Sequence, residues 1–267
     1  MKKIGFIGAG NMGGALATAV ARTDNAVFVS CAHREKAEAL AEKIGAIAAT
    51  TDEIVNDCDV IFLGVKPQIL PDVAQNINAQ LSKRADQVCL VSMAAGVTCK
   101  QLTELFGEHK IIRIMPNTPV SIGEGVILYC LGDRSTAEDE KTLCDALSKA
   151  GSLHKMQEKL IDAATAVSGC GPAFVYMFIE ALADGGVKCG IPREKAQLLA
   201  AQTLAGAAQL CIESGKHPGE LKDAVCSPGG STIAGVAALE QGSFRATVID
   251  SVESAYKRTK ELSGEKK

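Results

Sequence analysis

Over the first 154 residues, short apolar runs rich in β-branched side chains alternate with stretches of helical period, and after Met156 the short runs cease. Residues 4–7, 27–31, 46–49, 60–65, 88–92, 111–115 and 126–130 are the expected strands. Most are apolar on both faces, as a parallel strand covered by helices must be. Thr50-x-x-Glu53 and Thr98-x-x-Gln101 fit the capping box, in which the first side chain accepts a free backbone N–H and the second reaches back. The expected division is therefore an α/β domain over 1–156 and an all-helical domain over 157–267, with breaks at 169–172, 190–192, 215–218 and 228–230.

Two helical stretches stand out by their lack of charge. Residues 163–179 carry none, but the break Gly169-Cys170-Gly171-Pro172 makes them too short for a membrane span, so a buried helix is expected. Residues 198–212 are apolar or small nearly all round, interrupted by Gln202, Thr203 and Gln209, so this helix needs cover on every side. A domain of this size can hardly supply that cover, which points to a second subunit; the alternative is a central helix in a monomeric bundle.

Composition narrows the partners. A net charge of −3 without a Lys/Arg cluster, and 4% aromatics without Trp, argue against a nucleic-acid surface and leave a small molecule. The ten cysteines are scattered, with no Cys-x-x-Cys pair and no zinc-like spacing. They read as small buried hydrophobes, no metal site is expected, and with no signal-peptide core at the N-terminus the expected compartment is the cytoplasm.

Gly8-Ala9-Gly10-Asn11-Met12-Gly13 follows the first strand and opens a helix, the context in which G-x-G-x-x-G marks a dinucleotide site. Gly8 makes the turn, Gly10 admits the pyrophosphate, Gly13 packs helix on strand, and the helix start offers N–H groups to the phosphates. Where an NAD enzyme would carry an acid after the second strand, this chain has His33-Arg34. Arg34 can fork onto a 2′-phosphate and His33 can donate to it, which favours NADPH over NADH; Glu35 next door keeps NADH use open. The loops Val65-Lys66-Pro67 and Ala94-Ala95-Gly96 end later strands and are expected to face the nicotinamide half, with Asn117 or Thr118 adding polar groups.

Gly64-Val65-Lys66-Pro67-Gln68, Ser92 to Val97, Arg113-Ile114-Met115-Pro116-Asn117-Thr118-Pro119, Ser168 to Phe174 and Ser227-Pro228-Gly229-Gly230-Ser231-Thr232 follow in an order that resembles the pyrroline-5-carboxylate reductases. The resemblance implies a Rossmann-type doubly wound sheet followed by an all-α dimerisation domain, NADPH as cofactor, and proline synthesis as the activity. It also implies a substrate loop carried by Ser227, Gly229, Gly230, Ser231 and Thr232. Cys170, Cys226 and Ser231 depart from the family's usual residues, each by a small change. The loop chemistry agrees: Pro228-Gly229-Gly230 precedes a helical run, so unpaired N–H groups there suit a carboxylate; the alternative is a purely structural turn in which Ser231 or Thr232 caps the helix.

Reducing a cyclic imine requires a hydride at carbon and a proton at nitrogen. Thr232 is the candidate partner of the ring nitrogen, and no His is well placed for acid–base work. Two other readings fit the sequence. A β-hydroxyacid dehydrogenase type of reductase would carry a catalytic Lys on the first long helix after the sheet, and residues 163–178 have none. A non-catalytic NADPH-binding protein would bind nucleotide without turnover.

Overall fold

A computed structural model describes residues 1–84 and 86–262 of the chain. The chain forms two compact units, Met1–Cys170 with the chain from Tyr256, and Gly171–Ala255.

In the first unit the order is β1 (Lys3–Ile7), α1 (Asn11–Val20), β2 (Ala26–Ser30), α2 (Arg34–Ile44), β3 (Ile47–Ala48), α3 (Thr51–Asp57), β4 (Val60–Leu63), α4 (Leu70–Leu81) and β5 (Cys89–Ser92). Then come α5 (Cys99–Phe106), β6 (Lys110–Pro116), β7 (Gly125–Leu131), α6 (Ala137–Ala146), β8 (Gly151–Lys155) and α7 (Glu158–Ser168). The strands form one sheet in the order β3-β2-β1-β4-β5-β6-β7-β8. The first six strands are the Rossmann-type arrangement, so the reversal of winding falls between β1 and β4, where such sheets take their ligands.

All the seven expected strands form, and one junction runs against the rest: β6 and β7 are antiparallel. Only residues 117–124 join them. A parallel crossover needs a dozen residues or more, so a connection this short turns the chain straight back. β8 was not expected; it is an edge strand whose Ser152, His154 and Lys155 are exposed, which hides the apolar signal.

Both faces of the sheet are covered. Phe6 and Phe62 stack at 4.6 Å on the face that also takes Leu16 of α1, Ala37 of α2 and Leu143 of α6. On the other, Ile61, Leu63 and Leu90 meet Ile54 of α3, Ile77 of α4, Leu102 of α5 and Ile161 of α7. The capping boxes at Thr50/Glu53 and Thr98/Gln101 both form, and a third forms at Thr136/Asp139.

α7 is fastened to this unit by charge. The fully buried Arg113 on β6 donates from Nη2 to Asp162 Oδ1 at 2.6 Å and has Glu158 Oε1 3.6 Å from Nη1. The compact first unit therefore runs to Cys170, whereas the sequence places the domain boundary after Met156.

The second unit holds α8 (Gly171–Lys188), α9 (Arg193–Ser214), α10 (Pro218–Ala224) and α11 (Ser231–Gln241), and begins α12 (Phe244–Leu262). Its buried cluster is small: Ala183, Ala196 and Ala200, with Ile179, Val187 and Ile191 against them. The expectation of burial fails for much of 163–179 within one chain, because Val167, Val175, Tyr176 and Met177 are exposed. On α9, Leu198 and Ile212 are 68% and 75% exposed.

Candidate active site

The glycine turn is built as its spacing implies. Gly8 has φ +90°, a left-handed value that a side chain rarely adopts, and its N–H and that of Ala9 both donate to the Ser30 carbonyl at 2.9 and 3.0 Å. These two N–H groups hold β1 to β2, leaving ligand contact to the helix start. Gly10 is the N-cap of α1 and no side chain caps it. The N–H groups of Asn11, Met12 and Gly13 lack intrahelical acceptors by geometry, so they form an anion-binding end.

A Cβ on Gly10 would meet nothing within 4 Å, leaving room for a ligand to approach the backbone. One on Gly13, or on Gly64 at the end of β4, would stand 2.4 Å from the Gly8 carbonyl oxygen, so α1 and β4 close on the turn from two sides. Gly64 is a partner of the turn that the fingerprint spacing does not reveal.

His33 is the exposed N-cap of α2 and Arg34 is its first residue. A concavity of about 240 Å³ is lined by Ser30, Cys31, Arg34, Ala48, Thr50 and Thr51, and a shallower one by Ala32, His33, Arg34, Glu35 and Lys36. Arg34 borders both, and its Nε donates to Glu38 at 2.8 Å, which raises the guanidinium's affinity for its proton. Lys36 is a further cation beside the second concavity.

Lys66 is exposed after β4, and Val65 and Pro67 are half-buried beside it. After β5, Ala94 is buried with its N–H on Ser92 Oγ at 3.3 Å, Ala95 is exposed, and Gly96 turns at φ +73°. These loops follow β4 and β5, neighbours on the far side of the winding reversal from β2 and β3, at the same end of the parallel sheet as Gly8. Asn117 does not join them as a free group: its amide donates to the Ser168 carbonyl at 2.9 Å and accepts from Val126 N–H at 2.8 Å. It ties β7 to the end of α7.

In the second unit, Ser227 to Gly230 form a turn closed by Gly230 N–H on the Ser227 carbonyl at 3.0 Å. Gly229 has φ +67°. Gly230 is the N-cap of α11, and neither Ser231 nor Thr232 caps the helix with its side chain. The side-chain cap that the sequence left open is not made: the first N–H groups of α11 stay available and the Ser227, Ser231 and Thr232 side chains are exposed. Of the histidines, His217 caps α10 through Nδ1, accepting from Gly219 N–H at 3.0 Å, and burial pushes His109 below its ordinary range.

Against known proteins, the family model for pyrroline-5-carboxylate reductase dimerisation matches residues 158–262, and that described as NADP oxidoreductase, coenzyme F420-dependent, matches 3–96. The pyrroline-5-carboxylate reductase of Arabidopsis thaliana is 43% identical over 269 residues, covering 98% of this chain and 95% of that one. The chain belongs to the pyrroline-5-carboxylate reductases. A crystal structure of the Plasmodium falciparum pyrroline carboxylate reductase with NADP bound is 36% identical, covers 98% of both chains and superposes with a TM-score of 0.86. The solved structure of a pyrroline-5-carboxylate reductase from Coxiella burnetii is 28% identical, also over 98% of both chains, with a TM-score of 0.89.

As a pyrroline-5-carboxylate reductase, the chain is an NADP-using oxidoreductase with a Rossmann-type unit and a helical C-terminal region. The open backbone at Gly10 and the available N–H groups of α1 fit that cofactor's pyrophosphate.

Proposed function

We propose that Ser227, Gly229, Gly230, Ser231 and Thr232 hold the substrate in the reaction this enzyme performs, the reduction of L-1-pyrroline-5-carboxylate to L-proline. The observation that carries this is the uncapped start of α11 beside a glycine with open space around it. Its N–H groups suit the substrate carboxylate, and holding that carboxylate fixes the ring's orientation, which turns an encounter into an aligned reaction. NADPH, when bound, supplies the hydride that the imine carbon accepts.

Gly8, Ala9, Gly10, Asn11, Met12 and Gly13 form the phosphate end of the cofactor site in this reading, with Ala9 contributing through the turn it closes. His33 and Arg34 read the 2′-phosphate, and Val65, Lys66, Pro67, Ala94, Ala95 and Gly96 flank the nicotinamide. Thr232 meets the ring nitrogen as hydrogen-bond partner and proton relay. The positive charge of a protonated imine disappears as the carbon is reduced, so the nitrogen needs no strong acid beside it.

The active form in this reading is a homodimer in which a second copy covers α9, and the compartment is the cytoplasm. The exposed Leu198, Leu199, Leu210 and Ile212 support the first, and ten unpaired cysteines support a reducing compartment. By length and composition alone, Glu158–Lys188 could cross a membrane. The break at Gly169-Cys170 and the Arg113–Asp162 pair favour a subunit interface for this segment. A β-hydroxyacid dehydrogenase chemistry has no comparable support, since the sole lysine near the start of α7, Lys159, is exposed in its first turn.

The test is steady-state turnover with NADPH and pyrroline-5-carboxylate, with proline measured as product. Thr232→Ala should slow kcat about 100-fold without abolishing it, at the low end for a lost proton relay. Gly230→Val should remove substrate binding, because a Cβ there would stand 2.5 Å from Ser227 Oγ. Unchanged kcat and KM in Thr232→Ala would remove the relay role, and nucleotide binding without turnover in the wild type would leave only a non-catalytic protein.

A further inference from the structure

Cys99 and Cys130 are 31 residues apart in sequence and in contact in the fold, with their Sγ atoms 3.6 Å apart. Both are buried, at 8% and 4% exposure. Cys99 is the first residue of α5 and Cys130 lies in β7, directly opposite Arg113 of β6 in the register. Glu158 lies within 4.8 Å of both sulfurs. No spacing rule on the sequence joins these residues.

From this geometry we infer that Cys99 and Cys130 are a redox-active dithiol that closes to a disulfide under peroxide. The two thiols are not equivalent. Either sulfur can donate in their contact; with Cys99 as the donor the Cys130 thiol is held below its ordinary range, and the Arg113 guanidinium acts in the same direction against burial and Glu158. Cys99 is held up by the same bond and by its burial. Arg113 stands opposite Cys130 in the strand register while the Glu158 carboxylate sits on the Cys99 N–H, so Cys130 is the nucleophile and Cys99 the resolving thiol.

The Cys130 thiolate attacks one oxygen of hydrogen peroxide, the O–O bond breaks, and a sulfenic acid forms with loss of hydroxide. The Cys99 sulfur then displaces the sulfenic oxygen, which leaves as hydroxide; the two thiol protons convert both hydroxides to water. In sum, two thiols and one peroxide give one disulfide and two waters.

A metal ion is the other use for two thiols and a carboxylate, and the surroundings disfavour it. Glu158 Oε1 already accepts from Cys99 N–H at 2.6 Å and faces Arg113 at 3.6 Å. A cation would lie beside a fully buried guanidinium, with three protein ligands rather than the four of a closed structural site.

Closure must bring the sulfurs about 1.5 Å nearer, to the bond length near 2.05 Å. Cys130 sits on a strand paired on both edges, by β6 and β8. Cys99 follows the Ala94–Val97 loop with its left-handed Gly96, so the start of α5 is the part that gives. Resting on the assignment of that loop to the nicotinamide, oxidation should raise the KM for NADPH.

The experiment treats the full-length enzyme with hydrogen peroxide, quenches with catalase, alkylates, and maps peptides by mass spectrometry alongside kinetics. A Cys99–Cys130 cross-link reversed by dithiothreitol, with an NADPH KM raised at least threefold and restored on reduction, is expected. Cys99→Ser and Cys99→Ala should keep basal turnover and lose the response. Absence of that cross-link while other cysteines oxidise would overturn the dithiol, as would stoichiometric zinc in the purified enzyme protecting both thiols. A cross-link with unchanged kinetics would uphold the dithiol and instead refute the placing of the Ala94–Gly96 loop at the nicotinamide.

Discussion

The first unit hides the apolar side chains of β1, β4, β5 and β6 between two helix layers, while in the second α8 and α9 bury three alanines and leave most of their leucines and isoleucines in water. Of the twenty large apolar side chains exposed among the described residues, fourteen lie in Gly171–Ala255, a third of the chain. The difference is one of closure. A sheet with helices on both faces completes its core within one chain, but a helix apolar all round needs neighbours on more sides than a helix pair provides. Each buried leucine would contribute about 1.5–3 kcal/mol, so the second unit forgoes much of its stabilisation until something covers it. In our reading the cofactor is held by the part that is complete alone, and the substrate by the part that is not.

Damage to the complete first unit should have the largest effect. Asp162→Ala leaves the Arg113 guanidinium buried without its main partner, and should cost about 3–5 kcal/mol in urea unfolding. A variant as stable as the wild type would show that α7 is not fastened by that pair.

A smaller effect is expected at the glycine turn that starts α1. Gly10→Ala adds a methyl where nothing lies within 4 Å and the backbone is in an ordinary region, so unfolding should change by less than about 0.5 kcal/mol while NADPH affinity falls about tenfold or more. Unaltered affinity in a fluorescence titration would remove Gly10 from the phosphate site.

Much of this was legible in the sequence, for identifiable reasons. β1, β4 and β5 are apolar on both faces, and the Thr50 and Thr98 capping boxes are local devices whose parts lie three residues apart. The glycine turn declares itself because backbone geometry, rather than distant packing, decides which residue fits. What was hidden depends on contacts across long separations. Arg113 finds Asp162 across 49 residues and Cys99 finds Cys130 across 31, and Asn117 is drawn to Ser168 and Val126 rather than offered to a ligand. The exposure of 163–179 escaped for a different reason: a run without charge announces burial but not which chain provides the cover.

In our reading one copy of this chain cannot complete the second unit, so turnover requires two. Sedimentation velocity and NADPH-dependent turnover, measured on the same dilution series for the wild type and Leu198→Glu, test it directly. Specific activity should fall in step with dissociation of a dimer, and Leu198→Glu should shift both about thirtyfold or more toward higher concentration while NADPH still binds. Full specific activity from a monomeric wild-type species would contradict the account.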